Sequence, residues 1–198
     1  MTATSQTVAG FQGCRSLNGG SDICITVPVS SSTGNQFFIG DAVKMKTTGK
    51  AAPAGSTGNI WGIVQGIFKS NNAGQPAPLT FNLPSTGLYL QSSQAGFVTI
   101  STDPYKTFLA LIDVTASAAL IGSNAFVSAG TPVTAAGRSG MTLKKATSTS
   151  ADGQFQIVGL APTDLVNGYA SEYGNANGKG VVEVKINFAA FGVNNTGV

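Results

Sequence analysis

The chain reads as all-β, a β-barrel or jelly-roll-like sandwich with an extended N-terminal arm. Three observations predict this class. Apolar residues recur with period two in short runs, the pattern of strands with one buried face. Segments rich in Gly, Ser, Thr, Asn and Pro separate those runs at short spacing, as in sandwiches and barrels. The one credible helical turn, Thr115 to Ile121, is too short to change the class.

Taken in chain order, residues 1–35 hold little core-forming sequence and read as an N-terminal arm or small hairpin, with residues 36–198 as one β-domain. Within the arm an Asn18-Gly19 turn signal lies between Cys14 and Cys24, so a hairpin centred on Gly19 sets the two cysteines opposite each other. A non-hydrogen-bonded antiparallel pair places Cα atoms about 4.5 Å apart, within disulfide range. A reducing cytosol favours two small thiols instead, and both readings stand. Strands are predicted over 23–29, 37–46, 59–69, 88–91, 96–101, 106–113, 141–145 and 154–158. In the second of these, Val43 and Met45 point inward, while Lys44 and Lys46 share the other face as an ordinary solvated edge or a basic stripe. In the third, Trp61, Ile63 and Ile67 share one face as a core crossing, and Gly62 and Gly66 mark a bend or close backbone approach.

Phe108-Leu109-Ala110-Leu111-Ile112 has no polar face, which predicts a central strand covered on both sides. Phe155 and Ile157 point inward from their strand. At the end of the chain Val182, Val184, Ile186 and Phe188 face a core, with Glu183, Lys185 and Asn187 toward water or a neighbour. Residues 170–180 read as a long surface loop.

Composition narrows the chemistry. The 198 residues contain no histidine, 8 carboxylates and 11 basic groups, and only 10% are charged. Without histidine, Ser-His-Asp and Cys-His arrangements are excluded. Two cysteines with no histidine do not make a zinc site, and no segment carries a calcium-loop or Gly-Lys-Ser/Thr phosphate-loop pattern. Neither a cofactor nor a metal is expected. The net charge of +3 is spread along the chain, with Lys144-Lys145 the one adjacent pair, so no nucleic-acid partner is expected. No run approaches the ~20 apolar residues that cross a bilayer, and the first residues lack the features of a secretory signal. The protein is therefore expected to be cytosolic at synthesis, which Met1 favours, or a mature form already trimmed, with no membrane association.

The remaining catalytic routes are carboxylate pairs and Lys-based sites. Asp103 and Asp113 are the candidates for a glycosidase arrangement, but Asp103 before Pro104 opens a turn and Asp113 ends an apolar strand. Asp41 falls on an inward position of its strand, which predicts a turn or bulge with its carboxylate on local backbone amides. No residue is assigned a catalytic role.

The order of segments from Phe97 onward carries a resemblance. Phe97-Val98-Thr99-Ile100 is followed by Asp103-Pro104-Tyr105-Lys106-Thr107-Phe108, Ile121-Gly122-Ser123-Asn124-Ala125 and Gly137-Arg138-Ser139-Gly140-Met141. Phe155-Gln156-Ile157-Val158-Gly159-Leu160-Ala161 and Val181 to Phe188 close the series. This resembles the virion structural proteins of tailed bacteriophages, most closely the capsid decoration, or cement, proteins. The likeness covers about half the chain and lies in segment order and composition. It implies a non-enzymatic protein that binds the outer face of an icosahedral shell. The implied partners are the major capsid protein and further copies of this chain, and the implied location is a virion assembled in the host cytoplasm. It transfers no site residues. Two alternatives remain open from the sequence. One is another virion component, such as a tail, neck or head-fibre part. The other is a carbohydrate-binding β-sandwich or adhesin, for which Tyr89, Tyr105, Tyr169 and Tyr173 are the stacking platforms.

Overall fold

A computed structural model describes residues 10–30, 34–70, 74–78, 89–134, 137–146, 153–161 and 180–187. The described chain is built from strands: β1 (Gln12–Ser16), β2 (Cys24–Pro28), β3 (Ala42–Met45), β4 (Ala51–Pro53), β5 (Gly62–Ser70), β6 (Pro76–Pro78), β7 (Gly96–Ser101), β8 (Lys106–Ile112), β9 (Asn124–Ser128), β10 (Thr142–Lys145), β11 (Phe155–Leu160) and β12 (Gly180–Ile186). The predicted helical turn is a short 3-10 turn at Ala118–Leu120, which buries Leu120.

The first sheet closes on itself. Its order is β1-β8-β10-β9-β11-β12, and β12 pairs back onto β8, giving a five-stranded barrel with β1 attached outside the ring. A ring with an odd number of strands cannot alternate direction at every step, so one neighbouring pair must be parallel. That pair is β10 with β8, joined at Leu143 and Ile112, while every other barrel pair is antiparallel. Alternation then fills the interior: Phe108, Ala110 and Ile112 from β8 meet Phe155, Ile157, Val182, Val184 and Leu143. The run at 108–112 is covered twice, as its composition predicts, because Leu109 and Leu111 pack outside the barrel with Val181.

The second sheet has the order β2-β7-β5-β3-β4, with β6 on the far end of β5. A parallel bridge between Val29 and Ala51 brings the end of the β2 segment against β4, so this sheet also curls around its own core. That core contains Val27, Val43, Trp61, Val64, Ile67, Leu90, Val98 and Ile100. Its opposite face contributes Ala42, Ile60 and Ile63 to the barrel core, which makes the two sheets one packed body.

Three sequence expectations change. Residues 10–30 are not a separate arm or hairpin: β1 pairs with β8, β2 with β7, and Phe11 is buried in the barrel core, stacked on Phe155 at 4.7 Å. Residues 1–9 lie outside the described residues. Ile63 shares a face with neither Trp61 nor Ile67: it packs in the barrel core while they pack in the core of the second sheet, and a register shift between Val64 and Gly66 inserts one residue that reverses the alternation before Ile67. Met45 is exposed rather than inward, since at that point β3 pairs with β4 beyond the reach of β5. Lys46 donates to the Ser30 hydroxyl at 3.1 Å. Phe188, Leu88 and residues 170–179 lie outside the described residues.

Candidate functional site

The Asn18-Gly19 turn forms as its chemistry dictates. Gly19 takes a φ of +67°, and the Asn18 side chain accepts from the Gly20 amide at 3.0 Å. The strands leading from this turn do not pair with each other. The β1–β2 connector instead runs beside the β7–β8 connector. The Leu17 amide donates to the Tyr105 carbonyl at 2.9 Å, and the Thr102 amide donates to the Ile23 carbonyl at 2.8 Å. Each strand gains a longer antiparallel partner this way than a local hairpin offers. Cys14 and Cys24 consequently sit in different sheets and both thiols are free, so the Cys14–Cys24 disulfide is not formed here. Burial raises the pKa of each thiol, helped by Glu183 for Cys14 and by Asp22 for Cys24.

The paired connectors form a knuckle with a fixed shape. Asp103 opens the second connector by accepting from the Tyr105 amide at 2.8 Å, the turn role its place before Pro104 predicts. Asp22 ties the first connector down: it accepts from the Ser101 hydroxyl at 2.5 Å and pairs with Lys106 at 3.4 Å. Three large apolar side chains project from this frame, Leu17 at 48% exposure, Ile23 at 58% and Tyr105 at 54%. A second exposed pair, Ile39 and Val133, flanks Arg138 through backbone bridges to it.

Beside the knuckle, the barrel wall carries a charged cluster. Arg15 from β1 grips Glu183 of β12 with two bonds, Nε to Oε1 at 2.7 Å and Nη2 to Oε2 at 3.0 Å. Glu183 is only 2% exposed and fills the space over Gly159 on β11. Burial alone works to raise the Glu183 pKa, but hydrogen bonds from Arg15 and Thr107 and the Arg15 charge outweigh it and hold the carboxyl below its usual range. The same bond raises the Arg15 pKa further. The Arg15 amide in turn donates to the Thr107 hydroxyl at 3.3 Å, so the cluster locks β1 onto the barrel.

The structure separates the two candidate acids. Asp103 lies before β8 and Asp113 after it, so a seven-residue strand stands between them, roughly 20 Å at about 3.3 Å per residue. A glycosidase pair needs about 5–10 Å. Asp113 is exposed and accepts from the Lys145 amide at 2.9 Å, a local bond between strand ends. Asp41 accepts from the Phe38 amide at 2.8 Å, the local backbone role its position predicts. Among the described residues no three Cys, Asp or Glu groups come together as metal ligands. Tyr89 is buried and stacked on Phe38, which removes it as a sugar platform, whereas Tyr105 is exposed. Tyr169 and Tyr173 lie outside the described residues.

The knuckle had no sequence signal of its own. Leu17 stands alone among polar neighbours, Ile23 reads as the first apolar residue of the strand predicted over 23–29, and Tyr105 reads as part of a turn. Only the pairing of two distant connectors brings them together. The arrangement offers apolar contact area on two connectors bonded to each other. No protein-family model, curated protein or solved structure matches this chain.

Proposed function

We propose that this chain is a non-enzymatic virion structural protein, a capsid decoration protein that binds the outer surface of a phage capsid and stabilises the shell. The observation that carries the reading is the knuckle: Leu17, Ile23 and Tyr105 exposed together on two mutually bonded connectors. Aromatic and aliphatic anchors on a pre-ordered frame lose little entropy on docking, which is the chemistry of a protein contact. The low charge of the chain and the segment order described above favour the same reading. On a symmetric shell, many modest contacts gain effective concentration, so each need not be tight. The partners in this account are the major capsid protein and neighbouring copies of the chain.

Particles assembled with and without the protein test the reading. Those lacking it are expected to release their contents at lower temperature or on dilution into low salt. Equal robustness of the two particle types would remove the stabilising role. Exposed Tyr105 favours one second reading, a carbohydrate-binding surface, because a lone aromatic face stacks on a sugar ring. Glycan-array binding that disappears in Tyr105→Ala would support it over the first.

A further inference from the structure

We propose that Asp41 is a proton-operated latch on the seam between the two sheets, releasing when its carboxyl ionises. Asp41 is only 3% exposed and stands immediately before β3. Its carboxyl takes the Phe38 amide at 2.8 Å and the Ser139 hydroxyl. The Ser139 oxygen in turn accepts from the Met141 amide at 3.0 Å, and the Met141 sulfur accepts from the Ala42 amide at 3.2 Å. The ring of contacts thus returns to the residue beside Asp41. It joins the start of β3 in one sheet to the segment that enters β10 in the other. The Phe11 amide, bonded to the Gly40 carbonyl at 2.8 Å, and Val64 of β5, bonded to the Asp41 carbonyl at 2.9 Å, pack the same seam.

Among the described residues no cation pairs with this carboxyl. Arg138 on the neighbouring segment is exposed, Lys44 follows on the opposite face of β3, and Lys69 is at the far end of β5. The ion pairs among the described residues are Arg15 with Glu183 and Lys106 with Asp22, and neither reaches Asp41. Two hydrogen-bond donors without a counter-charge leave an ionised buried carboxylate poorly compensated. Burial accordingly pushes the Asp41 pKa up to about 6, against the lowering effect of Ser139 and Phe38. The sign follows from the direction. A carboxyl whose pKa is raised on folding stabilises the fold in its protonated form, and that stability is lost as pH rises through about 6. Because the chain contains no histidine, no imidazole response overlaps this window.

The test is the folding equilibrium of the full chain by urea titration at pH 5 and pH 7.5, for the wild type and Asp41→Asn. The folding constant of the wild type is expected to be about tenfold larger at pH 5, from a pKa of about 6 in the fold and an ordinary 3.8 when unfolded. Asp41→Asn should be flat across the same range, within about twofold. In hydrogen exchange, the amides of Phe38, Ala42 and Met141 should gain protection at pH 5 in the wild type alone. A wild type with no pH response, or a variant that keeps it, overturns the latch. Should Asp41→Asn fail to fold, the Asp41 side-chain carboxyl of the wild type is followed by carbon NMR. A midpoint near 6 supports the proposal, and a midpoint at or below 4 overturns it.

Discussion

Gln154→Leu isolates the bond network that fastens the second sheet to the barrel. Gln154 stands just before β11, only 2% exposed, and all its main hydrogen-bonding capacity is used. Its amide nitrogen donates to the Gly55 carbonyl at 2.9 Å and the Gly58 carbonyl at 2.8 Å, while its oxygen accepts from the Val127 amide at 2.9 Å. Leucine keeps most of the volume and removes all three bonds. The Val127 amide belongs to a fully buried residue, so leaving it unpaired costs about 1–3 kcal/mol. Gly55 and Gly58 lie nearer the surface, where water replaces the lost donor, and each such loss costs about 0.5–1 kcal/mol. The added apolar burial returns on the order of 1 kcal/mol. The net expectation is a loss of about 2 kcal/mol, read as a fall in the urea midpoint with an unchanged slope. Gln154→Glu separates polarity from packing, since it keeps an acceptor for Val127 but sets a carboxylate against two carbonyls. It should be the less stable variant at neutral pH and recover part of the loss in acid. A loss below about 0.5 kcal/mol for Gln154→Leu would refute the assignment of Gln154 as the tie.

The remaining predictions concern the charged wall, the sheet interior, the thiols and the knuckle. Glu183 has a lowered pKa, so its contribution is present above its ordinary value of 4.5 and is lost as pH falls through the folded one. Acid unfolding of Glu183→Gln should therefore lack part of the wild-type loss below that point; identical acid curves would contradict the Arg15 clamp. Gly62→Ala drives a Cβ into the Ser101 carbonyl oxygen, and the forced shift between β5 and β7 should cost about 1–3 kcal/mol in thermal or urea unfolding. Intact-mass measurement after native alkylation should find both Cys14 and Cys24 reactive, with the more exposed Cys24 modified first, and an unmodified disulfide mass would contradict the separated strands. Ile23→Ser with Tyr105→Ala should leave the stability within about 1 kcal/mol yet abolish binding to shells.

How much of this was legible in the sequence follows from which force fixes each element. Burial-driven strands announce themselves: β7 matches its predicted bounds, β8 shows its double cover in Phe108 to Ile112, and Val182, Val184 and Ile186 point inward as their alternation requires. Strands fixed by a partner leave no such trace. Gln12-Gly13-Cys14-Arg15-Ser16 is mostly exposed and has no apolar alternation, and it becomes β1 because β8 offers a free edge. The three-residue strands β4 and β6 are defined only by the neighbours they pair with. In β9, Ala125 and Val127 point inward, but Phe126 between them is apolar too, so the run shows no clean alternation. The shift at Val64 to Gly66 changes which face Ile67 covers, and a period-two reading cannot see one inserted residue. For the site, the bonds of Asp41 to the Phe38 amide and of Asp103 to the Tyr105 amide were readable because they are local, whereas the reach of Asp41 to Ser139 was not. The knuckle was not, because it depends on two connectors separated by some eighty residues meeting in space.

The central claim is attachment to a particle through the knuckle, and co-sedimentation tests it most directly. Shells stripped of this protein are mixed with the purified wild type or with the Ile23→Ser, Tyr105→Ala double variant and separated on a density gradient. The account predicts that the wild type travels with the shells at a fixed stoichiometry while the folded variant stays at the top. Wild-type protein that remains at the top, or a variant that binds equally well, would contradict it.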